Sequence, residues 1–516
     1  MRLGRTWTVA LIGLTGHLVE VEAHRSPGLP AFTVVGLPDA SVNEARERVR
    51  SAVTASGLTW ESARRTVNLS PASLPKSGAG LDLALAVAVL GADDLPGADV
   101  AARTVHLGEL ALDGRVRQVR GVLPAVAAAV AAGRNDVVVP AANAAEAALV
   151  PGARVRGVHH LAEVVRLYGG VAHVPDVAVT TPPGPRTDAT HRPRTAEDLG
   201  QVVGQDEARF AVEVAAAGGH HLLLMGAPGS GKTMLAARMP GLLPDLDDRD
   251  AVEVTSVHSV AGTFDPAGGL LRRPPFEDPH HTATPAAVIG GGSGLPRPGA
   301  ASRAHRGLLF LDEAPEFSPR VLQTLRQPLE HGELVIHRAA GAARYPARFQ
   351  LVLAANPCPC GMAVGKGLRC TCTAVERRRY LGRLSGPLLD RIDMQVDVEP
   401  VTRAMLALAG TPETTQVVAA RVAAARARQS ARLAGTPWRT NGEVAGAWLR
   451  GTDGHLPDGV RRTLERALDR GALSMRGVDR VLRVAWTLAD LEGRPRPTET
   501  DVGTAIGLRT RGGSGA

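Results

Sequence analysis

The 516-residue sequence contains few lysines, few cysteines and no long apolar run. Only three of its 59 basic residues are lysines, namely Lys76, Lys232 and Lys366, so nearly all of the positive charge is arginine. Together with the abundant alanine and glycine, this imbalance indicates a coding bias. The formal net charge of +8 excludes an acidic disordered protein but is weak support for a nucleic-acid partner.

No apolar stretch reaches the roughly 18 residues that a membrane-spanning helix needs. The N-terminal apolar segment is soon broken by Gly13, Gly16 and His17, and no cleavage-site pattern follows. We therefore expect neither a signal peptide nor a membrane anchor. All four cysteines lie between residues 358 and 372, unlike the dispersed cysteines of a secreted disulfide scaffold. These absences predict a cytoplasmic protein.

The length accommodates about three domains. Residues 1–172 mix short β-branched runs with alanine-rich helical stretches, which predicts an α/β domain. Residues 173–195 are rich in proline and threonine and are predicted to be a linker. Residues 196–400 alternate apolar strands with helices, as a parallel sheet requires, whereas residues 401–516 carry only helical periodicity. The predicted fold class is α/β with a helical C-terminal domain.

The strongest motif is GAPGSGKT, which follows a predicted strand at 222–225 and precedes a predicted helix. Glycine-permitted turns in this context direct backbone N–H groups at a bound phosphate. Lys232 is expected to neutralise the β- and γ-phosphates of ATP, and the Thr233 hydroxyl is expected to bind Mg²⁺. The predicted nucleotide-binding residues of this P-loop are Gly226, Ala227, Pro228, Gly229, Ser230, Gly231, Lys232 and Thr233.

A second apolar strand, at 308–311, ends in the two carboxylates of a Walker B motif, Asp312 and Glu313. Asp312 is expected to hold Mg²⁺, and Glu313 to orient and polarise the attacking water, since phosphoryl transfer depends on positioning and charge neutralisation. A third strand, at 349–355, ends at Asn356, whose side chain can hold that water against the γ-phosphate. The second carboxylate favours ATP hydrolysis over ATP binding alone.

Two arginines are candidates for stabilising the transition state. Arg391 lies among carboxylates in SGPLLDRID, a pattern that is more often a surface ion pair. In an ATPase of this layout, an arginine offered to a neighbouring subunit's γ-phosphate makes hydrolysis depend on a ring. Arg476 is the candidate lid arginine, on a predicted helix face that it shares with Arg480 and Arg483. A solvated basic face is the alternative for those two arginines.

These motifs, in this order, resemble the Mg-chelatase-like AAA+ ATPases of the ComM/YifB family. The most specific matching segments are PHHT at 279–282, NPCPCG at 356–361 and SGPLLDRID at 385–393. The resemblance implies an AAA+ core with a helical lid that assembles as a homo-oligomeric ring, expected to be a hexamer. It also implies a helicase or translocase that uses ATP to act on branched or single-stranded DNA, in branch migration during homologous recombination of incoming DNA.

The segment between Walker B and Asn356 reads as two β runs around Gly341. It resembles the hairpin that related ring helicases point into their pore, with Arg338 near its tip. Arginine there could contact DNA phosphates without reading bases. A hairpin that only packs against its neighbour is the alternative. Residues 268–292, which include His280 and His281, resemble a second pore-facing insertion.

The four cysteines form two C-x-C pairs directly after Asn356, namely Cys358, Cys360, Cys370 and Cys372. Four thiolates can close a tetrahedral Zn²⁺ site, although the usual spacing within a pair is two to four residues. Reduced thiols without metal are the main alternative, and a redox-sensitive pair is a third.

Residues 68–80 and 108–116 resemble the proteolytic domain of Lon, so a Ser–Lys peptidase is a competing hypothesis. Alignment with Lon places Gly80 at the position of the nucleophilic serine and Leu123 at that of the lysine. Neither side chain can do this chemistry. We therefore predict a Lon-like α/β domain that is proteolytically inactive. A Mg-chelatase-type motor subunit or a protein-remodelling ATPase is the alternative function.

Overall fold

The computed structural model describes residues 2–76, 78–173, 197–292, 296–338, 341–363, 368–384, 386–408, 410–451 and 456–510. These residues form a seven-stranded mixed sheet, a five-stranded parallel sheet and a C-terminal set of helices. The predicted linker at 173–195 lies outside the described residues except for its first residue. A mixed α/β fold with a parallel sheet and a helical C-terminal region is thereby confirmed.

The described strands are β1 (Arg2–Ile12), β2 (Thr15–Ser26), β3 (Ala31–Val35), β4 (Arg64–Ser70), β5 (Val105–His106), β6 (Glu109–Leu110), β7 (Val116–Arg117), β8 (Asp136–Pro140), β9 (Arg154–Val158), β10 (Leu222–Met225), β11 (Phe276–Glu277), β12 (Gly290–Gly291), β13 (Arg297–Pro298), β14 (Leu308–Leu311), β15 (Glu333–Arg338), β16 (Gly341–Pro346), β17 (Gln350–Ala355) and β18 (Met394–Asp397).

The described α-helices are α1 (Ala40–Ala55), α2 (Asp82–Ala92), α3 (Ala98–Ala101), α4 (Val122–Ala131), α5 (Ala144–Ala147), α6 (Leu161–Leu167), α7 (Asp206–Gly218), α8 (Lys232–Arg238), α9 (Asp248–Ala261), α10 (Pro285–Ile289), α11 (Ala300–Arg303), α12 (Pro319–Thr324), α13 (Arg326–His331), α14 (Ala374–Gly382), α15 (Gly386–Leu389), α16 (Arg403–Leu408), α17 (Thr415–Arg432), α18 (Gly446–Arg450), α19 (Asp458–Asp469), α20 (Met475–Leu491) and α21 (Glu499–Thr510).

The first sheet has the order β3-β4-β2-β1-β5-β8-β9. Its longest pair is β1 and β2, which run antiparallel from Arg2 opposite Arg25 to Ile12 opposite Thr15. The strands β5, β8 and β9 lie parallel to one another. Helix α2 packs on β1 and β2, and nearly all of its side chains are buried. This burial explains why the helix reads as an almost continuous apolar sequence rather than an amphipathic one.

The second sheet is entirely parallel and has the order β11-β14-β17-β10-β18. Strand β17 lies between β10, which precedes the P-loop, and β14, which precedes the Walker B carboxylates. The strands read as continuous apolar runs because both faces of the sheet are buried. Parallel strands place their carboxyl ends at one edge of the sheet, so the three predicted motifs converge there.

Among the described residues after β18, only helices occur. Helix α20 is amphipathic as predicted, because Val478, Leu482 and Ala485 are buried in the core. On its other side, Arg480 Nη1 lies 2.9 Å from the buried Asp393 Oδ1, and Arg483 Nη1 lies 4.0 Å from the same oxygen. The alternative of a solvated basic face therefore does not apply to Arg480 and Arg483.

The two sheet-bearing parts of the chain contact each other directly. Helix α4 packs on α9, where the Gly121 N–H donates to Ser259 O at 3.2 Å. The Ser259 hydroxyl also hydrogen-bonds to the buried Glu146 carboxylate. This interface joins the first sheet to the part of the chain that carries the P-loop.

Candidate nucleotide-binding site

The P-loop joins β10 to α8 by a turn that only glycine fits easily. Gly229 has φ 76° and Gly231 has φ 97°, a backbone region that disfavours other residues. A Cβ on Gly226 would overlap the carbonyl oxygen of Val398, which follows β18. The glycines of the motif are therefore explained by backbone conformation and close packing.

Lys232 is buried at the start of α8. Its Nζ donates hydrogen bonds to Gly226 O and Ala227 O, both at 2.8 Å, and to Asn356 Oδ1 at 3.2 Å. Burial lowers the pKa of Lys232, while Asp312 and Glu313 oppose that shift. Its hydrogen-bond partners in the described residues are neutral oxygens, so a phosphate would supply the opposite charge that this ammonium group needs.

Thr233 and Asp312 form the second part of the site. The Thr233 hydroxyl donates to Asp312 Oδ2 at 2.7 Å, and the Glu313 N–H donates to Asp312 Oδ1 at 2.9 Å. Adjacent ligands of an octahedral Mg²⁺ with Mg–O distances of about 2.1 Å lie about 2.9 Å apart. The Thr233–Asp312 pair therefore fits two adjacent positions around Mg²⁺, with the remaining positions open to water and phosphate oxygens.

Glu313 follows Asp312 in a left-handed conformation, with φ 50° and ψ 44°. This is uncommon for a residue with a side chain and turns the carboxylate away from the line of β14. Glu313 Oε2 lies 3.3 Å from His281 Nδ1. His280 instead points its Nδ1 at the Thr282 hydroxyl, 2.8 Å away. Sequence reasoning did not anticipate the contact of His281 with Glu313, although the PHHT segment was a signal.

Residues 268–292, which resemble a second pore-facing insertion, also contribute a strand to the parallel sheet. Within them, β11 (Phe276–Glu277) forms the edge of the parallel sheet beside β14. The strand has only two paired residues and lies in a proline-rich context, so no sequence pattern indicated it.

Asn356 directly follows β17, which lies between the strands that lead into the P-loop and Asp312. Its backbone hydrogen-bonds to Tyr380 of α14, and burial raises the pKa of that tyrosine to about 12. From the same part of the chain, Arg383 Nη1 lies 3.0 Å from Glu316 Oε2, three residues after Glu313. Helix α14 and the residue after it therefore contact both the segment that follows β17 and the segment that follows β14.

The four cysteines converge in the loop between β17 and α14. Sγ of Cys358 lies 3.4 Å from Sγ of Cys360 and 3.7 Å from Sγ of Cys370, and all four sulfur atoms lie within 4.8 Å of one another. No disulfide links them. Gly361 in this loop, with φ 74°, packs so closely on the P-loop that a Cβ would lie 2.5 Å from Pro228 Cδ.

Arg391 and Arg476 lie together but away from the P-loop. Both line a cavity of about 810 Å³ between the parallel sheet and the C-terminal helices. Arg391 forms an ion pair with Glu330, and Arg476 Nη1 lies 3.5 Å from Asp390 Oδ2 with 78% of its side chain exposed. Among the described residues that line this cavity, none belongs to the P-loop or to Walker B.

The predicted hairpin consists of β15 and β16, paired from Glu333 opposite Pro346 to Arg338 opposite Gly341. Ile336, Ala343 and Tyr345 bury one face of it against Leu14, in the turn between β1 and β2. One face of the hairpin therefore packs against other parts of the same chain. Arg338 ends β15 as predicted, but its side chain lies outside what the structure describes.

The N-terminal residues compared with Lon occupy structural positions. Gly80 O accepts a hydrogen bond from the Gly108 N–H at 2.9 Å, and Leu123 is buried. Lys76 is fully buried, and its Nζ donates to Gly36 O at 2.9 Å and to Leu69 O at 3.0 Å. This lysine thus ties the loop around residue 76 to backbone carbonyls of neighbouring segments.

The parallel sheet, the P-loop and the paired carboxylates define a P-loop ATPase. Three family descriptions match the chain: Magnesium chelatase, subunit ChlI, over residues 198–406; Subunit ChlI of Mg-chelatase, over residues 21–143; and Magnesium chelatase, subunit ChlI C-terminal, over residues 412–509.

Relatives that match over nearly the whole chain identify the family more closely. An uncharacterised protein of Mycobacterium tuberculosis is 52% identical over 512 residues, which are 99% of each chain. Competence protein ComM of Haemophilus influenzae is 39% identical over 510 residues, 99% of this chain and 98% of the relative. YifB of Escherichia coli is 39% identical over 520 residues, 99% of this chain and 97% of the relative. The chain belongs to the Mg-chelatase-like ComM/YifB family of AAA+ ATPases, as its motifs predicted.

In the part of the chain that the structure describes, no helix combines the length and the apolar character that crossing a bilayer requires.

Proposed function

We propose that this protein is a ring-forming motor that hydrolyses ATP and acts on DNA. The observation that carries the proposal is the convergence of Lys232, Thr233, Asp312, Glu313 and Asn356 at adjacent strand ends. Within it, Lys232 neutralises the phosphates, Thr233 and Asp312 hold Mg²⁺, and Glu313 polarises the attacking water with the help of Asn356.

The ring is supported by the position of the two candidate arginines. Arg391 and Arg476 share a cavity that the chain's own P-loop does not line, so we propose that both serve the nucleotide of a neighbouring subunit in a hexamer. Burial and the nearby Arg326, Arg480 and Arg476 lower the pKa of Arg391. Eight arginines and six carboxylates line the cavity, and this small excess of positive charge favours an incoming anion such as a γ-phosphate.

The DNA assignment is supported by the hairpin and by one relative. The β15–β16 hairpin is anchored by the buried Ile336, Ala343 and Tyr345, and we propose that Arg338, the last residue of β15, contacts DNA phosphates. The 39% identical relative from Haemophilus influenzae is named a competence protein. We therefore propose branched or single-stranded DNA as the substrate, and branch migration during recombination of incoming DNA as the activity.

The proposed organisation follows the predicted boundaries. Residues 1–172 form a Lon-like domain without peptidase activity, residues 173–195 a linker, residues 196–400 the ATPase core and residues 401–516 the helical lid. The N-terminal domain serves assembly or DNA contact, and its packing on the hairpin through Leu14 supports that role.

Steady-state ATP hydrolysis, measured with and without four-way-junction DNA over a range of salt concentrations, tests this proposal. We expect DNA to raise the turnover number, and Glu313→Gln and Arg391→Ala to lower it by about 100-fold or more with and without DNA. If turnover ignores DNA at every salt concentration, the DNA assignment fails and a chelatase-type or protein-remodelling motor becomes the better description.

A further inference from the structure

We propose that Cys358, Cys360, Cys370 and Cys372 hold one zinc ion and that this ion fixes the wall of the nucleotide pocket. The second half of this inference rests on the proposed ATP site. The first half stands independently of that site.

The sulfur geometry matches tetrahedral zinc. With Zn–S distances of about 2.3 Å, the edges of a regular tetrahedron of four sulfurs are about 3.8 Å long. Sγ of Cys370 lies 3.7 Å from Sγ of Cys358 and 3.8 Å from Sγ of Cys360, and the fourth sulfur, of Cys372, falls within the same 4.8 Å cluster. One ion at the centre of the cluster would therefore reach all four sulfurs with little rearrangement.

In the described parts of the loop around the cysteines, 356–363 and 368–373, two large apolar side chains contribute little to a core. Both are turned outward, since Met362 is 41% and Leu368 is 89% exposed. Ordering such a loop costs conformational entropy, which four thiol groups in weak mutual contact do not offset. A bound metal supplies that free energy directly, as it does in small zinc-stabilised folds.

The same loop connects the cysteine cluster to the nucleotide site at both ends. Cys358 follows Asn356, whose side chain accepts the hydrogen bond from Lys232. Gly361 contacts Pro228 of the P-loop. Cys372 precedes α14, whose first turn is closed by reciprocal hydrogen bonds between Thr373 and Glu376.

A metal at this place would join the P-loop, the end of β17 and the start of α14 into one rigid unit. Without the metal, the loop that contacts Pro228 and continues from Asn356 would no longer hold these two residues in place. We therefore expect metal removal to weaken nucleotide binding without unfolding the sheet.

The test begins with metal content. Elemental analysis of the purified full-length protein should give about one zinc ion per chain, and Co²⁺ exchanged into the site should show the absorption of tetrahedral thiolate coordination. The double variant Cys370→Ser with Cys372→Ser should lose both signals. Thr371→Ala, an exposed residue between them, is the matched control and should keep both.

The second measurement is the affinity for a fluorescent ATP analogue, before and after a chelator removes the metal from the wild-type protein and after zinc is added back. We expect metal removal to raise the dissociation constant for the ATP analogue about tenfold, and added zinc to restore the original value. The change is partial because the nucleotide pocket loses a structural support and keeps all the residues that contact the nucleotide. Metal removal from the wild type avoids dependence on a variant that fails to fold.

Lys232→Ala separates this inference from the ATPase proposal, because it should lose the nucleotide but keep the zinc. Four freely titrating thiols with no bound metal would overturn the zinc site. An unchanged nucleotide affinity after complete metal removal would overturn its coupling to the pocket.

Discussion

His281 Nδ1 lies 3.3 Å from Glu313 Oε2, which places the imidazole of a loop beside the carboxylate proposed to polarise water. The side chains are 33% and 51% exposed, so the contact lies at the surface of the site. A carboxylate engaged by histidine is less available to orient water. The contact therefore restrains the proposed catalytic residue.

Replacing His281 should release that restraint. We expect His281→Ala to raise ATP turnover without DNA by about twofold to fivefold, because exposed ion pairs contribute about 0.2–1 kcal/mol. The measurement is steady-state ATP hydrolysis. Thr282→Ala is the control, since its hydroxyl contacts His280 and not Glu313 and its loss should leave turnover unchanged. Lower turnover in His281→Ala would mean that the imidazole assists Glu313 instead.

Glu313 and Glu316 offer a matched comparison of carboxylates three residues apart. Glu313→Gln should lower kcat by about 100-fold or more while ATP still binds, because general-base catalysis contributes that much. Glu316→Gln, whose carboxylate pairs with Arg383 on the surface, should change kcat little. Turnover and binding of a fluorescent ATP analogue check this. Equal losses in both variants would argue against a specific role for Glu313.

Arg391 should act on the nucleotide of a neighbouring subunit. Arg391→Ala should reduce turnover about 1,000-fold, as loss of an arginine finger does. Mixing it in equal amount with Glu313→Gln should restore activity, because about one quarter of all interfaces in the mixed rings then combine an intact Glu313 with an intact Arg391.

The control for this mixing experiment is Lys232→Ala combined with Glu313→Gln, two lesions in the same half of the site, which should restore little. Absence of recovery in the first mixture, in rings shown to exchange subunits, would contradict action between subunits.

Asp393 should contribute mainly to stability. It is buried, and although burial alone would raise the pKa of its carboxyl, Arg480 and His220 hold the pKa well below its usual range. Because the pKa is depressed in the fold, this contribution is present above about pH 4 and is lost as the pH falls further.

Asp393→Ala leaves Arg480 unpaired and should destabilise the fold by about 3 kcal/mol, lowering the thermal midpoint by several degrees. Asp390→Ala, at a half-exposed position, is the comparison and should lower it little. Circular dichroism during heating at pH 7 checks both. Equal midpoints for the two variants would show that the buried ion pair is not important for stability.

Strands β10, β14 and β17 could be predicted from the sequence because each is a short, largely apolar run that leads directly into a recognisable motif. Strands β10 and β14 begin and end where the sequence placed them, and β17 differs by one residue at its start. A sheet buried on both faces produces this unambiguous pattern. The P-loop could likewise be located, since its glycines are required by backbone geometry.

The remaining features depend on contacts between distant residues, which no local pattern encodes. The contact between Glu313 and His281 joins residues 32 positions apart. The burial of Tyr345 against Leu14 joins the hairpin to the other end of the chain. The pairing of Arg480 with Asp393 turned a basic helix face, which is ambiguous in sequence, into a buried network.

The most direct test of the motor assignment is ATP-dependent movement of a four-way DNA junction, followed by separation of the product duplexes. The wild type should convert the junction to products with ATP and Mg²⁺, and Glu313→Gln should bind ATP and produce none. Hydrolysis of ATP by the wild type without any movement of the junction or unwinding of a fork would contradict the account.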